Sequence, residues 1–326
     1  MVDGDSLVLV TGGAGFIGGH IAERLIRDGA HVRVLDNFAT GSRATADFLR
    51  GLAGGRCEIV EADIRDRAAV AAALSGVTHV IHQAALPSVQ RSLEDPIASN
   101  DTNIGGTMHL LEESRSRGVR RFVFAGSSSV YGDQPDLPKR ESMPPRPLSP
   151  YALTKLAGET YCSLYHRLFG FPAVTLRYFN VFGPRQNPDS QYAAVIPLFI
   201  RAVLQETPPT IYGDGGQTRD FTFVDNVVEA NLRALTADPE KVGGAVMNVA
   251  CGERTSLLEL LSAICEITGR RAEPVFAPAR QGDVRDSLAA IAEAEQRLGF
   301  TPAVSLREGL SRTIDWFRNI EQGDRR

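Results

Sequence analysis

Cysteine is scarce in this chain of 326 residues: there are four, Cys57, Cys162, Cys251 and Cys265, and no CxxC pair among them. That spacing offers neither a disulfide framework nor a cysteine-built metal site, so buried thiols are expected. The six histidines lack ligand spacing as well, and His79 and His82, on or beside a predicted strand, read as core or hydrogen-bonded residues; no metal is expected. An excess of one charge is also missing. Lys and Arg number 35 against 39 Asp and Glu, a net charge of −4 that gives nucleic acid no electrostatic footprint. No apolar run approaches the roughly 18 residues of a membrane span. The polar residues 1–6 and the strand-length apolar run 7–10 do not make a signal peptide, so a cytoplasmic chain without a membrane partner is expected.

What is present is an ordinary globular composition, 43% hydrophobic and 23% charged, with enough length for one large domain or two modest ones. The first apolar run, ending at Thr11, leads into Gly12-Gly-Ala-Gly15-Phe-Ile-Gly18 and then a helical pattern at Ile21, Leu25 and Ile26. A second strand, residues 31–35, closes on Asp36. Strand, glycine turn, helix, strand and acid form a βαβ unit of the dinucleotide-binding kind. Glycines admit a pyrophosphate to the helix N-terminus, and the carboxylate can bond a ribose hydroxyl. Asp36 repels a 2′-phosphate and no Arg follows it directly, which selects NAD over NADP.

The βα alternation continues through strands at 57–61, 78–82 and 121–125, with helices at 68–74 and 97–117. Repeated βα units predict a parallel sheet with helices on both faces, and ligands then bind beyond the carboxyl ends of the strands. Those ends carry Asp63, Ala84, Ala85, Ser88 and the run Ser127-Ser-Ser129. A strand at 173–178 follows. From about Asn180 the rhythm breaks: a helix at 196–205, a strand at 210–212, the segment 213–220, a helix at 225–237, a strand at 245–248 able to rejoin the sheet, and helices near 256–268, 291–298 and 306–320. The expected fold is α/β, a Rossmann-type doubly wound parallel sheet with a smaller C-terminal α/β lobe. Residues 1–179 with about 220–250 would form the NAD-binding domain, and about 180–219 with 251–326 the lobe.

The stretch Leu148-Ser-Pro-Tyr-Ala-Leu-Thr-Lys155 reads as a helix start, with Ser149 as N-cap, Pro150 in the first turn and Leu148 and Leu153 placed as a hydrophobic staple. Tyr151 and Lys155 then share one face a turn apart. A phenol titrates near 10, and making it a base near neutral pH means lowering its pKa by roughly 3 units, about 4 kcal/mol. A nearby ammonium supplies part of this, and a cationic cofactor can supply more.

Thr11-Gly-Gly-Ala-Gly-Phe-Ile-Gly18, Asp63, Ser127 ahead of Val130-Tyr-Gly132, Tyr151-x-x-x-Lys155 and Arg177-Tyr-Phe-Asn180 stand in one order along nearly the whole chain. In this it resembles the extended short-chain dehydrogenase/reductase family, specifically its nucleotide-sugar epimerases. The resemblance implies catalysis by Tyr151, Lys155 and Ser127 with NAD as a bound catalyst. It places the cofactor against Gly12, Gly15, Phe16, Ile17, Gly18, Asp36, Asn37, Asp63, Ile64, Ala84, Ala85, Asn103, Tyr151, Lys155 and Tyr178. Tyr151 would take the proton of a sugar 4-hydroxyl, Ser127 would bond the same oxygen, and Lys155 would hold the ribose. Dehydratases and decarboxylases of the family carry a Glu two residues before the Tyr of the Tyr-Gly motif; Ser129 stands there, which favours epimerisation.

On the substrate side the resemblance implies a UDP-sugar held by Asn180, Arg219 and Arg280 at the diphosphate and, at the uridine, by the segment 192–197, which includes Val195, and by Tyr212. By the same resemblance Ser88, Gln186, Ala194 and Ser287 fall around the sugar, and Ser127, Ser129 and Asp283 also bind substrate. A small residue at 287, where relatives restricted to UDP-glucose and UDP-galactose carry tyrosine, leaves room for an acetamido group. Pro87 departs from the pattern by stiffening the sugar-facing loop. Three other readings stay open: a UDP-glucuronate 4-epimerase with Arg185 as carboxylate partner, a decarboxylase or dehydratase, and a non-catalytic NAD-binding sensor. Helix 97–117 and the Tyr151 helix resemble the pair that forms a homodimer interface in this family.

Overall fold

The computed structural model describes residues 6–189, 194–279 and 284–321. Seven strands form one parallel sheet: β1 (Leu7–Thr11), β2 (His31–Asp36), β3 (Cys57–Glu61), β4 (His79–His82), β5 (Arg121–Ser127), β6 (Ala173–Tyr178) and β7 (Val246–Val249). Their spatial order is β7-β6-β5-β4-β1-β2-β3. The order reverses at β1 and β4, which places a crevice between the loops that leave them. Register brings the strand ends level there, since Thr11 lies opposite both Leu35 and His82, and Tyr178 opposite both Ser127 and Val249.

Alternate residues of each strand feed two apolar layers. Val8, Val10, Val123, Val174 and Leu176 pack with the helices Phe16–Arg27, Arg43–Ala53 and Val224–Thr236 on one face. Leu9, Phe122, Phe124 and Ala173 pack with Arg67–Ala73, Thr107–Ser116 and Pro150–Phe169 on the other. Strands covered on both faces read as unbroken apolar runs, which is why they were visible in the sequence. A third cluster, including Phe182, Phe199, Ile211, Phe221, Leu260 and Ile314, lies beyond the carboxyl edge of the sheet. It unites the helices Val195–Leu204, Leu257–Thr268 and Leu306–Glu321.

Two sequence expectations need correction. The helix expected over 97–117 is interrupted: Pro96–Asn100 and Thr107–Ser116 are α-helical, but Asp101–Gly106 between them is a π-turn. A Cβ on Gly106 would lie 2.5 Å from the Ile64 side chain, so the widened turn and its glycine make room for that side chain. The staple is not formed by burial either, since Leu148 and Leu153 are both more than half exposed. The helix start rests on Ser149, whose hydroxyl accepts the Ala152 N–H at 3.1 Å, and on Pro150. The sequence reading also omitted the helix Arg43–Ala53 and strands of two or three residues such as Val181–Phe182 and Thr218–Arg219. Strands so short carry no periodicity to detect.

Candidate active site

The turn after β1 is built on glycines for steric reasons. Gly12 adopts φ +67°, and a Cβ there would lie 2.7 Å from the Ala84 nitrogen; one on Gly18 would lie 2.2 Å from the Gly12 carbonyl oxygen. The helix that follows is therefore drawn tightly under the turn. Its N-cap, Gly15, supplies no side-chain cap, so the first-turn amides of Phe16 and Ile17 are left for an anion. Behind them Ile17 packs on the first apolar layer and Phe16 on the third cluster.

Asp36 ends β2 beside this turn. Its carboxylate accepts the Ala14 N–H at 3.0 Å and the Phe38 N–H at 2.8 Å, which fixes it against the glycine turn, while burial pushes its pKa up. Asn37 donates to Asp63 at 2.9 Å, so the loops after β2 and β3 are tied together. Arg65 also bonds Asp63 and holds its pKa down at about 2. Ile64 is buried, and its carbonyl accepts from His109 at 3.1 Å. Glycine turn, Asp36, Asn37 and Asp63 thus form one continuous edge, which fits an extended dinucleotide with a diphosphate at its middle.

At the switch point a polar chain runs under the crevice. The Ala84 N–H donates to Thr11 Oγ1 (3.3 Å), which leaves the Thr11 hydroxyl to donate to His82 Nδ1 (2.7 Å). His82 Nε2 then donates to Thr107 Oγ1 (2.9 Å), whose hydroxyl donates to the Asn103 carbonyl (2.6 Å). His82 is accordingly neutral, its pKa pushed down to about 3 by burial and by Lys155. Asn103 uses both ends of its amide on the protein: Oδ1 accepts from Leu86 N at 2.8 Å, and Nδ2 donates to Leu86 O and Thr154 Oγ1. It braces the loop of Ala84, Ala85 and Ser88 against the Tyr151 helix. Tyr178 is similarly engaged, its hydroxyl bonded by Gln83 at 2.9 Å and Asn231 at 2.8 Å, and burial pushes its pKa up to about 12.

Tyr151 and Lys155 stand on one helix face opposite the end of β5. Gly158, a turn further on, lets that helix close onto Phe124, whose ring would lie 2.4 Å from a Cβ there. The Lys155 ammonium consequently reaches the Ala125 carbonyl at 3.0 Å and lies 5.1 Å from the Phe124 ring centroid. Burial pushes its pKa down to about 8. It stands 6.0 Å from the Tyr151 ring centroid. The phenol pKa is pushed up by burial and drawn back in part by a hydrogen bond with Ser127. The expectation is that Lys155 supplies part of the depression and a cationic cofactor more; within the chain alone the balance lies the other way, with burial ahead of the Ser127 hydrogen bond. Ser127 Oγ lies 2.8 Å from Ser129 Oγ and also accepts the Ser129 N–H. Glu159, a further turn along, forms a buried bidentate pair with Arg177 that locks this helix to β6.

Beyond the sheet edge a cavity of about 270 Å³ is lined by Asn180, Ala194, Val195, Tyr212 and Arg219, five residues expected on the substrate side. Arg219 donates to the carbonyls of Thr218 (2.9 Å) and Arg285 (3.0 Å), which holds its guanidinium at the wall. The sequence reading missed Gln217, which lines the same cavity with a buried Oε1 that has no hydrogen-bond partner among the described residues. Its place two residues before Arg219 was the available signal. Gln186 donates to Val181 O at 3.2 Å and leaves its own buried Oε1 as an unused acceptor. Ser88 has φ +91° and caps the short helix Val89–Glu94; Ser287 donates its N–H to Thr218 O at 3.1 Å. Arg280 and Asp283 lie outside the described residues.

Two findings bear on the alternatives. Arg185, the candidate partner for a uronate carboxylate, is paired with Glu23 at 2.7 Å on the first helix. Its charge is therefore already matched. A wider depression of about 560 Å³ lies between Val77, Thr78 and Arg120, at the amino-terminal ends of the strands, and holds none of the motif residues. The carboxyl-edge cavity is the one that topology and chemistry share. Among the described residues no group of acids, histidines and cysteines could hold a metal, and no helix is long and apolar enough to cross a membrane.

Comparison with known proteins agrees with this geometry. Residues 8–250 match the model of the NAD dependent epimerase/dehydratase family. A UDP-glucose 4-epimerase of Mycolicibacterium smegmatis is 41% identical over 321 residues, 96% of this chain and 99% of that protein. The crystal structure of a Thermotoga maritima UDP-glucose 4-epimerase with UDP-glucose superposes with TM-score 0.91 at 37% identity, covering 97% of this chain and 99% of that one. A Methanobrevibacter ruminantium UDP-N-acetylglucosamine 4-epimerase, in complex with UDP-N-acetylmuramic acid, also gives TM-score 0.91 at 37% identity, covering 98% and 99%. Sequence motifs, sheet order and these likenesses converge: this chain belongs to the NAD dependent epimerase/dehydratase family, the extended short-chain dehydrogenase/reductase epimerases, and its cofactor is NAD.

Proposed function

We propose that the chain is a UDP-hexose 4-epimerase that interconverts UDP-glucose with UDP-galactose and UDP-N-acetylglucosamine with UDP-N-acetylgalactosamine. The observation that carries this reading is the pairing of Ser129 with Ser127 beside Tyr151. The dehydratases and decarboxylases that this chain resembles carry a Glu at that point, and a hydroxyl stands there instead. The NAD pyrophosphate would lie on the amides of the Gly12–Gly18 turn, with Phe16 and Ile17 in the first helical turn. Asp36 and Asn37 would take a ribose, Asp63 and Ile64 the adenine end, and Ala84, Ala85, Tyr178 and Lys155 the nicotinamide end, with Asn103 bracing that loop.

With NAD bound, the site has a hydride acceptor at C4 that ends each turnover unchanged and a positive charge that favours the phenolate. Tyr151 takes the 4-hydroxyl proton and returns it to the same oxygen; Ser127 donates to that oxygen throughout. Lys155 positions the ribose. Asn180, Arg219 and Arg280 grip the diphosphate, and Ala194, Val195 and Tyr212 hold the uridine. The 4-keto sugar turns about the diphosphate beside Ser88, Gln186 and Ser287. Tolerance of an acetamido group rests on the small side chain at 287. The division into an NAD-binding part and a nucleotide-sugar lobe belongs to the same reading, supported by the separate apolar cluster beyond the sheet.

A homodimer also belongs to this proposal. Ile97 is 72% exposed, and Leu153 and Leu168 are 55% and 60% exposed on the Tyr151 helix. These apolar residues lie on two adjacent helices and suit a shared helical interface. Light scattering on the purified chain is expected to give twice the chain mass.

Proton NMR of the protein with UDP-glucose, UDP-N-acetylglucosamine and UDP-glucuronate in separate incubations tests the substrate reading. Galacto-configured products from the first two are expected. Conversion of UDP-glucuronate alone would replace the proposal with the uronate reading. In the variant Ser287→Tyr, conversion of the acetylated sugar is expected to fall by about 100-fold or more while UDP-glucose remains a substrate.

A further inference from the structure

Asp220 is fully buried where three parts of the chain meet at the carboxyl edge of the sheet. Its Oδ1 accepts the Cys251 N–H at 3.0 Å, and its Oδ2 accepts the N–H groups of Gly252 and Ala289, each at 3.1 Å. Its own carbonyl accepts Nδ2 of Asn180 at 3.1 Å. Arg219 precedes it at the cavity wall. Among the described residues the partners of this carboxylate are backbone amides alone.

Burying a carboxylate without a cation is costly, and burial indeed pushes the Asp220 pKa up to about 6. An ionised carboxylate nevertheless has one property no neutral side chain of its size shares. It accepts three N–H groups and offers none in return. Here the three belong to two separate segments, the turn after β7 and residues 287–289. The second segment is also held by Ser287 N to Thr218 O at 3.1 Å and by Lys139 N to Leu288 O at 2.7 Å. Asp220 ties it to the turn after β7 through Ala289, beside a second tie in which Asn248 Nδ2 of β7 donates to Ala290 O at 3.0 Å.

We propose that Asp220 is a positioning residue for the sugar half of the substrate, its carboxylate fixing residues 287–289 at a set distance from Asn180 and Arg219. This rests on the assignment of Ser287 to the sugar and of Asn180 and Arg219 to the diphosphate. The sugar must rotate between its two presentations without leaving the site, so the wall it turns against has to hold its place relative to the diphosphate grip. Asp220 touches neither group of the substrate.

Asp220→Asn keeps the size but turns an amide N–H₂ toward at least one amide donor. In the full chain with its NAD, KM for UDP-glucose is expected to rise about fivefold or more with kcat within about threefold of wild type. Affinity for uridine diphosphate alone, measured by calorimetry, and the bound NAD content are expected to stay at wild-type values. An unchanged KM would overturn the proposal, as would equal losses of uridine diphosphate, UDP-glucose and NAD, which mark a general structural role. Should the variant not fold, hydrogen exchange on the wild type decides: the Ala289 amide is expected to slow with UDP-glucose beyond its rate with uridine diphosphate, and equal rates overturn the claim. Wild-type turnover of UDP-glucose, recorded alongside, separates the two levels. An active wild type with an Asn variant of normal KM defeats the positioning role alone, whereas an inactive wild type defeats both.

Discussion

Tyr151 and Lys155 illustrate how burial trades stability for chemistry. Tyr151→Phe removes only the hydroxyl, and turnover is expected to fall about 10³-fold or more while NAD stays bound; unchanged turnover would remove Tyr151 from its assigned role. Lys155 has a folded pKa of about 8 against an ordinary 10.5, so the folded state binds fewer protons than the unfolded state between those values. Stability therefore rises with pH across that window, and below pH 8 the charged amine costs about 3 kcal/mol. Lys155→Met removes this cost and one hydrogen bond worth about 1 kcal/mol, so the NAD-stripped variant at pH 7 is expected to be about 2 kcal/mol more stable, and inactive. Denaturant titration checks it, and a less stable variant would show that burial is not what shifts this lysine. The sequence disclosed both residues through their spacing on a capped helix. It did not disclose the balance between them, because desolvation depends on Phe124 and Ala125, thirty positions away in the chain.

Whole elements carry the site through close approaches that a one-dimensional pattern records only as glycines. Gly158→Ala places a methyl against the Phe124 ring at 2.4 Å, so the Tyr151 helix must lift from β5. A loss of about 1–3 kcal/mol in stability is expected together with reduced kcat, measured by denaturant titration and NMR turnover. The π-turn at Asp101–Gly106 has the same origin: helical periodicity at 97–117 was legible, but the insertion of Ile64 from another loop was not. The glycine turn, the apolar strands and the Ser149 cap were legible because each is local. Asn103 and Tyr178 stood in the expected region, yet their polar ends bond Leu86, Thr154, Gln83 and Asn231, partners that only the assembled crevice reveals.

At the scale of the molecule, acid sensitivity follows from histidines kept neutral. His82 and His20 have pKa values of about 3 and about 4 against 6.5, both lowered first by burial. The unfolded chain binds more protons below pH 6.5, so their contribution is present above that value and lost as pH falls toward 4. Asp220, raised to about 6, works in the opposite sense between 6 and 3.8. His20→Gln is expected to make the fall in stability between pH 6.5 and 4 shallower by about one proton per molecule. On the helix Phe16–Arg27, His20 bonds the Pro184 carbonyl at 3.0 Å and Glu23 pairs with Arg185 at 2.7 Å, so that helix and the loop after Asn180 are tied at this point.

The account's central claim is that hydride leaves C4 of the sugar and returns to the same carbon within one closed site. Turnover of UDP-glucose carrying deuterium at C4, followed by NMR and mass spectrometry, tests it most directly. The label is expected at C4 of the UDP-galactose formed, with no deuterium released to water. Product carrying solvent hydrogen at C4 would contradict the assigned chemistry, whatever the identity of the preferred sugar.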